Sequence, residues 1–391
     1  MTVILEKIHS RYQVPQPMLT PTWLQHAMQD VLTSIDAMLP RFSHTFPAAS
    51  ADRGSYPEVA KVDWTEGFWT GMLWLAWEVT KDDKYRRVAE GLLDSFEERL
   101  DKRIKVDTHD LGFLYLLSCV NAWRLTGNTR ARTLALRAAE LLFARFNATA
   151  GVIQAWGDLN DPARQGRMII DCNLNVPLLF WAANETGNPR YREAAHRHLT
   201  QAAQHLVRDD ASSFHTFYMD IHTGQPLRGD THQGFSNNSC WARGQAWGMY
   251  GFALGFNYTG DPAFTELSRK LSHYFLNRLP EDYVCYWDLI FTPEDRAFRD
   301  TSAAAVAVCG LAELLKQLPL SDPLRPDYQH AISHIMLNLH QGYFAHDQDG
   351  LLREGVYNFG RQMGINVPNL WGDYFYFEAL VRLSRVWAPY W

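Results

Sequence analysis

The sequence predicts an all-α protein, an (α/α)6 barrel in which six inner helices are wrapped by six outer ones. Three observations carry that expectation. A helix–turn–helix unit recurs along the chain, its helices alternate between almost wholly apolar and amphipathic, and the last helix is too aromatic to end an open solenoid.

The repeat is clearest in its turns: "TKDDKY" (Thr80–Tyr85), "TGNTRA" (Thr126–Ala131), "TGNPRY" (Thr186–Tyr191) and "TGDPAF" (Thr259–Phe264). A glycine suits the left-handed residue that closes one helix, and the Asn or Asp after it suits the cap of the next, with proline at the first helical position in two of them. Extending this rhythm places outer helices near 21–40, 83–100, 129–147, 189–207, 262–279 and 325–341. Inner helices fall near 68–79, 110–125, 172–185, 242–258, 301–316 and 370–386. Outer segments such as "YREAAHRHLTQAAQHLV" keep one apolar stripe, whereas inner ones such as "TSAAAVAVCGLAELL" are apolar nearly all round and should be buried on every side. A solenoid would need a polar cap where this chain has "WGDYFYFEALVRLSRVWAPYW", so the ring is expected to close. Residues 1–391 are read as a single catalytic domain, with 1–20 as an N-terminal extension.

Composition narrows the function. Hydrophobic residues at 47% and charged ones at 20% fit a packed core, while a net charge of -6 with no basic run lacks the footprint of a nucleic-acid binder. The apolar stretch "FWTGMLWLAWEV" is too short to span a membrane. The opening "MTVILEKIHSRYQVPQPML" lacks the pattern of a secretory leader, and the five cysteines are odd in number and far apart. Both point to a cytoplasmic protein with reduced thiols, expected as a monomer or weak homo-oligomer.

The connections from inner to outer helices are tight, but those from outer to inner are long: 41–67, 101–109, 148–171, 208–241, 280–300 and 342–369. Long loops in a compact domain are usually functional, and in a barrel these would share one rim, where the inner helices begin. At that rim the sequence sets His109 and Asp110 in "THDLGF", Asp171 and Asn173 in "MIIDCNLN", and Trp64 and Glu66 in "DWTEGFW". It adds Asp300 in "FRDTS", and Trp371 with Asp373 in "WGDYF". Capping is the default role of an Asp at a helix start and is expected of Asp300. Asp110 and Asp171 differ, because each stands among apolar neighbours at the starts of adjacent inner helices. Two carboxyls brought close in a partly dry pocket cannot both ionise easily, so one keeps a proton and can serve proton transfer on a glycoside.

The stretch "HQGFSNNSCWARGQAWGMYG" (His232–Gly251) opens the fourth inner helix with Trp241, Arg243, Gln245 and Trp247. Wide aromatic faces beside hydrogen-bond donors suit a sugar, which offers apolar C–H faces and polar edges. His215 and His232 share one long loop and are candidates for substrate contact, whereas His196 and His198 lie two apart on an outer helix and face apart. No paired metal-ligand spacing and no nucleotide or hydrolase-elbow motif appears, so neither metal nor cofactor is expected.

Taken together, "HDLGF", "IIDCNLN", "THQGFS", "CWARGQAWGMYG" and "LWGDYFYFEAL" resemble the unsaturated glucuronyl hydrolases of glycoside hydrolase family 88, in one order from about Trp64 onward. The resemblance implies an (α/α)6 barrel acting in the bacterial cytoplasm on unsaturated oligosaccharides released by glycosaminoglycan lyases, such as chondroitin or hyaluronan disaccharides. It implies hydration of the 4,5 double bond of the terminal uronic acid, with a proton to C4 and water to C5. By motif, Asp171 becomes the general acid and base and Asp110 the second essential carboxylate. His215, Gln233, Arg243 and Trp247 become walls of the uronate subsite, with Trp64, Trp156 and Trp241 as further aromatic surfaces. Arg243 is expected either to pair with a substrate carboxylate or to hold Asp171 by hydrogen bonds. An unsaturated rhamnogalacturonyl hydrolase is the nearest rival, opposed by "RGQAW" where "RGNGW" would be expected. A sugar epimerase would need better-placed histidines, and a noncatalytic sugar-binding protein would have no need of Asp171.

Overall fold

Apolar-all-round segments cannot face water, and in the computed structural model they become the inner ring of a double-walled barrel. The structure describes residues 3–14, 19–60 and 64–391; the rest of the expected extension, 1–2 and 15–18, lies outside them. In chain order the helices are α1 (Pro21–Met38), α2 (Glu66–Thr80), α3 (Asp83–Gly91), α4 (Leu93–Asp101), α5 (Leu111–Tyr115), α6 (Asn121–Thr126) and α7 (Thr129–Phe143). They continue as α8 (Pro177–Thr186), α9 (Pro189–His205), α10 (Ala242–Thr259), α11 (Pro262–Asn277), α12 (Thr301–Gln317), α13 (Arg325–Tyr343) and α14 (Leu370–Ser384). The inner ring is α2, α5–α6, α8, α10, α12 and α14; the outer ring is α1, α3–α4, α7, α9, α11 and α13. Closure is direct, since α14 packs against α2.

The turn chemistry works as the sequence suggests. Gly127, Gly187 and Gly260 take left-handed φ of 72°, 71° and 72°, and Lys81 takes the same role with φ 60°. Asp82, Asn128, Asn188 and Asp261 each accept a backbone N–H of the helix that follows.

Three features depart from the expected pattern. The second outer helix breaks at Leu92 into α3 and α4. The second inner helix carries a π-helical segment, Leu116–Val120, between α5 and α6. The third inner helix starts at Pro177 instead of near 172, because Ile170–Leu174 form a 3-10 turn and proline then favours the first helical position. The long rim loops are also partly ordered, folding into short antiparallel pairs such as Arg167–Ile169 with Thr216–Met219, and Gly355–Asn358 with Met363–Val367.

At the end away from the rim loops, the tail after α14 turns back under the barrel. Trp391 stacks on Phe375 at 5.6 Å, meets the edge of Phe113 at 5.8 Å and donates to Glu378 at 2.8 Å. The segment 3–14 straps onto α11, with Glu6 paired to Arg278 at 2.9 Å and the Tyr12 hydroxyl donating to Leu276 at 2.8 Å. Among the described residues no helix is long and apolar enough to cross a membrane.

Candidate active site

The two chosen carboxyls meet because glycines let their helices approach. A Cβ on Gly112, two residues after Asp110, would lie 2.3 Å from the backbone of Asn175, and one on Gly251 of α10 would lie 2.3 Å from the Asn173 side chain. The Asn175 side chain then accepts the Phe113 N–H at 2.7 Å, locking the start of α5 to the 3-10 turn that bears Asp171.

Between the carboxyls lies His109, which the sequence sets at the rim without assigning it a role. The Nε2 of fully buried His109 is 3.3 Å from Asp110 and 3.2 Å from Asp171. One Nε2–H cannot aim at both oxygens, and neither contact is aligned as a hydrogen bond. Burial opposes charge on His109, but Asp110 and Asp171 outweigh it and hold the imidazole well above its ordinary value. Burial likewise lifts the Asp171 carboxyl above the usual range, and the His109 charge opposes this without cancelling it. The second carboxylate is oriented from its other side, where Thr108 Oγ donates to Asp110 at 2.8 Å. These three residues could also offer ligand atoms to a cation, all within 4.8 Å of one another. The imidazolium supplies positive charge at that point itself.

The carboxyls open into a cavity of about 380 Å³. Of the sequence-chosen residues, Trp64, Trp156, Gln233, Trp241, Arg243 and Trp247 line it together with Asp110 and Asp171. Trp64 is held edge and face, donating to the Tyr357 hydroxyl at 2.9 Å and stacking on Trp371 at 4.9 Å. Trp156 carries the guanidinium of Arg167 over its ring at 4.4 Å.

Arg243 is the most heavily bonded group in the wall. It donates to Asp300 at 2.8 Å, Gln233 at 2.7 Å and the carbonyls of Val356 and Tyr357 at 2.5 and 2.8 Å. None of these bonds goes to Asp171, one of the two partners the sequence allowed for Arg243. Arg243 instead ties the hairpin 355–367 to the start of α10 and keeps a positive charge near Asp171. Its anchor Asp300 is also the expected cap, accepting from Ser302 and Ala303 at the start of α12.

His215 sits behind the wall, 3% exposed, with its ring 4.6 Å from that of Trp241. Its Nδ1 accepts the backbone N–H of His232 at 2.8 Å and of Gln233 at 3.2 Å. Burial, together with the positive groups around it, pushes it well below its ordinary value, so the ring is neutral with a hydrogen on Nε2. That Nε2–H has no partner among the described residues. His215 thus shapes the loop that presents Gln233.

Lys105, Asn358 and Met363, which the sequence did not single out, line the mouth together with Arg361. Loop residues carry no periodicity, and only the fold brings those turns to the cavity.

Known proteins are similar to this chain in sequence and in fold. The chain is 43% identical to the unsaturated chondroitin disaccharide hydrolase of Streptococcus pneumoniae, over 100% of this chain and 99% of that protein. The crystal structure of the unsaturated glucuronyl hydrolase of Streptococcus agalactiae superposes with a TM-score of 0.97 at 41% identity, covering 100% of this chain and 99% of that one. A variant of the Streptococcus agalactiae enzyme, complexed with dGlcA-GalNAc6S, aligns with a TM-score of 0.89 at 39% identity over 100% and 99% of the two chains. The model of Glycosyl Hydrolase Family 88 matches residues 34–376, a span that takes in both carboxyls, the histidine between them and the aromatic walls, and the chain belongs to that family of glycosidases.

Proposed function

We propose that this protein hydrolyses the unsaturated oligosaccharides that lyases release from chondroitin or hyaluronan, freeing the terminal 4,5-unsaturated uronic acid. One observation carries the reading. Asp171, whose carboxyl burial lifts above the usual range, lies 3.2 Å from the Nε2 of buried His109, which stands 3.3 Å from Asp110, inside an aromatic-walled cavity. An electron-rich vinyl ether needs a proton donor at one carbon and a base for water at the next, and a buried acid serves both in turn.

In this reading the Asp171 carboxyl gives its proton to C4, and positive charge develops at C5 and the ring oxygen. Water adds to C5 while the Asp171 carboxylate takes up its proton, which restores the acid. The resulting hemiketal opens to a ketone at C5, and the C1 hemiacetal then releases the adjoining sugar. His109 and Asp110 position and charge-balance Asp171, while Trp247, Trp241 and Trp64 offer faces to the sugar and Gln233 a polar edge. Arg243 adds positive field for the substrate carboxylate from within its own network.

The chain is read as one catalytic domain, expected to act as a monomer or weak homo-oligomer. Five buried, unpaired cysteines support a reducing, cytoplasmic setting.

Hydration destroys the conjugated chromophore of the unsaturated uronate, so purified protein should remove its ultraviolet absorbance from chondroitin or hyaluronan disaccharides. Unchanged absorbance across sulfated, unsulfated and pectin-derived panels rejects the reading. Asp171→Asn should keep fold and binding yet lose at least about 100-fold in rate; full activity in that variant would remove Asp171 from its role.

A further inference from the structure

Outside the cavity mouth stands a ledge of aromatic rings, two of them open to solvent. Phe235 is 57% and Phe298 43% exposed, and both join a cluster with Phe291, Phe359 and Trp287. Phe235 lies 5.1 Å from Phe291, while Trp287 and Phe359 stack at 4.7 Å. Exposed apolar clusters of this kind commonly mark interaction sites.

The ledge is built, not loose. Buried Asp288 accepts the backbone N–H of Phe235 at 2.9 Å, of Cys240 at 3.2 Å and of Ile290 at 3.1 Å, and the Ser239 hydroxyl at 2.7 Å. That one carboxylate ties the loop bearing Phe235 to the loop bearing Trp287 and Phe291.

It is also continuous with the cavity. Gln233 lines the cavity two residues before Phe235, and Asn358 and Arg361 line it from the same turn as Phe359. Exposed Arg361 stands at this junction, and its guanidinium makes no ion pair or hydrogen bond among the described residues.

We propose that this ledge binds the saccharide units beyond the second sugar of a longer unsaturated oligosaccharide; the inference rests on the function proposed above. Ring faces take the C–H faces of sugars. In an alternating glycosaminoglycan chain the third unit is a uronate, and its carboxylate meets Arg361. The cavity, at about 380 Å³, lies near the low end for small-molecule sites and leaves further units to the surface beyond it. A second copy of the chain would use the rings but gives no reason for an unpaired arginine between ring cluster and cavity.

The test compares an unsulfated unsaturated disaccharide with the tetrasaccharide of the same repeat, for the wild type and for a Phe235→Ser, Phe298→Ser double variant. The expected result is a KM about 3- to 10-fold lower for the tetrasaccharide in the wild type. The double variant should lose that advantage and keep its disaccharide constants. A wild type that cleaves both lengths with equal KM overturns the ledge alone, as does a variant impaired equally on both. A wild type that cleaves neither overturns the hydrolase reading and the ledge with it. A concentration-dependent dimer in sedimentation, abolished in the double variant, reassigns the rings to a second copy.

Discussion

Asp373, in the first turn of α14, offers a prediction whose size can be worked from the structure. It is fully buried, and its Oδ1 accepts the N–H of Leu351 at 2.8 Å and of Leu352 at 3.0 Å, while the Tyr56 hydroxyl donates to Oδ2 at 2.8 Å. Burial pushes the carboxyl from 3.8 up to about 7, and the three hydrogen bonds only partly oppose it. Because the folded value exceeds the unfolded one, the folded chain holds a proton that the unfolded chain has lost. Stability linked to this group is therefore full below about 3.8 and falls as pH rises through about 7. A difference of about three units at 1.36 kcal/mol each amounts to ~4 kcal/mol lost by pH 8. Asp373→Asn keeps an oxygen for the two backbone donors and cannot ionise. It should match the wild type near pH 4 and exceed it at pH 8 by up to ~4 kcal/mol, read as denaturant midpoints across that range. A variant that is weaker at pH 8, with the pH slope intact, would show that the carboxyl ionises in place without penalty.

Two further substitutions probe the site. His109→Gln removes the cation between the carboxyls, so Asp171 should hold its proton to higher pH while turnover drops by ~100-fold; pH–rate profiles with an unmoved alkaline limb would refute this. Arg243→Met strands buried Asp300 and frees Gln233, at an expected cost of ~3–5 kcal/mol in unfolding free energy. Adding Asp300→Asn should recover part of that stability but leave KM raised, and recovery of both would deny Arg243 any part in binding.

The helical ring was legible because turn chemistry is local. Gly127–Asn128 or Gly260–Asp261 announce a helix end and a helix start within two residues, and the apolar segments between them leave little choice of placement. The carboxyl pair was legible for a related reason, since Asp110 and Asp171 stand at the mouths of neighbouring inner segments. His109 was not, because a histidine at a helix start looks the same whether it faces solvent or two acids. The partners of Arg243 were also hidden, as Val356 and Tyr357 lie more than a hundred residues away and offer backbone carbonyls, which carry no sequence signal. The outer wall, including Arg361, depends on how an aperiodic hairpin folds over the mouth.

The stacked pair Trp64 and Trp371 joins the first inner helix to the last, so the seam where the ring shuts runs through the wall of the sugar cavity. A nascent chain holds both acids long before α14 has been made, yet it has no enclosure in which to use them. Catalysis must wait for the final segment to dock, and turnover becomes a direct gauge of whether the circle is complete.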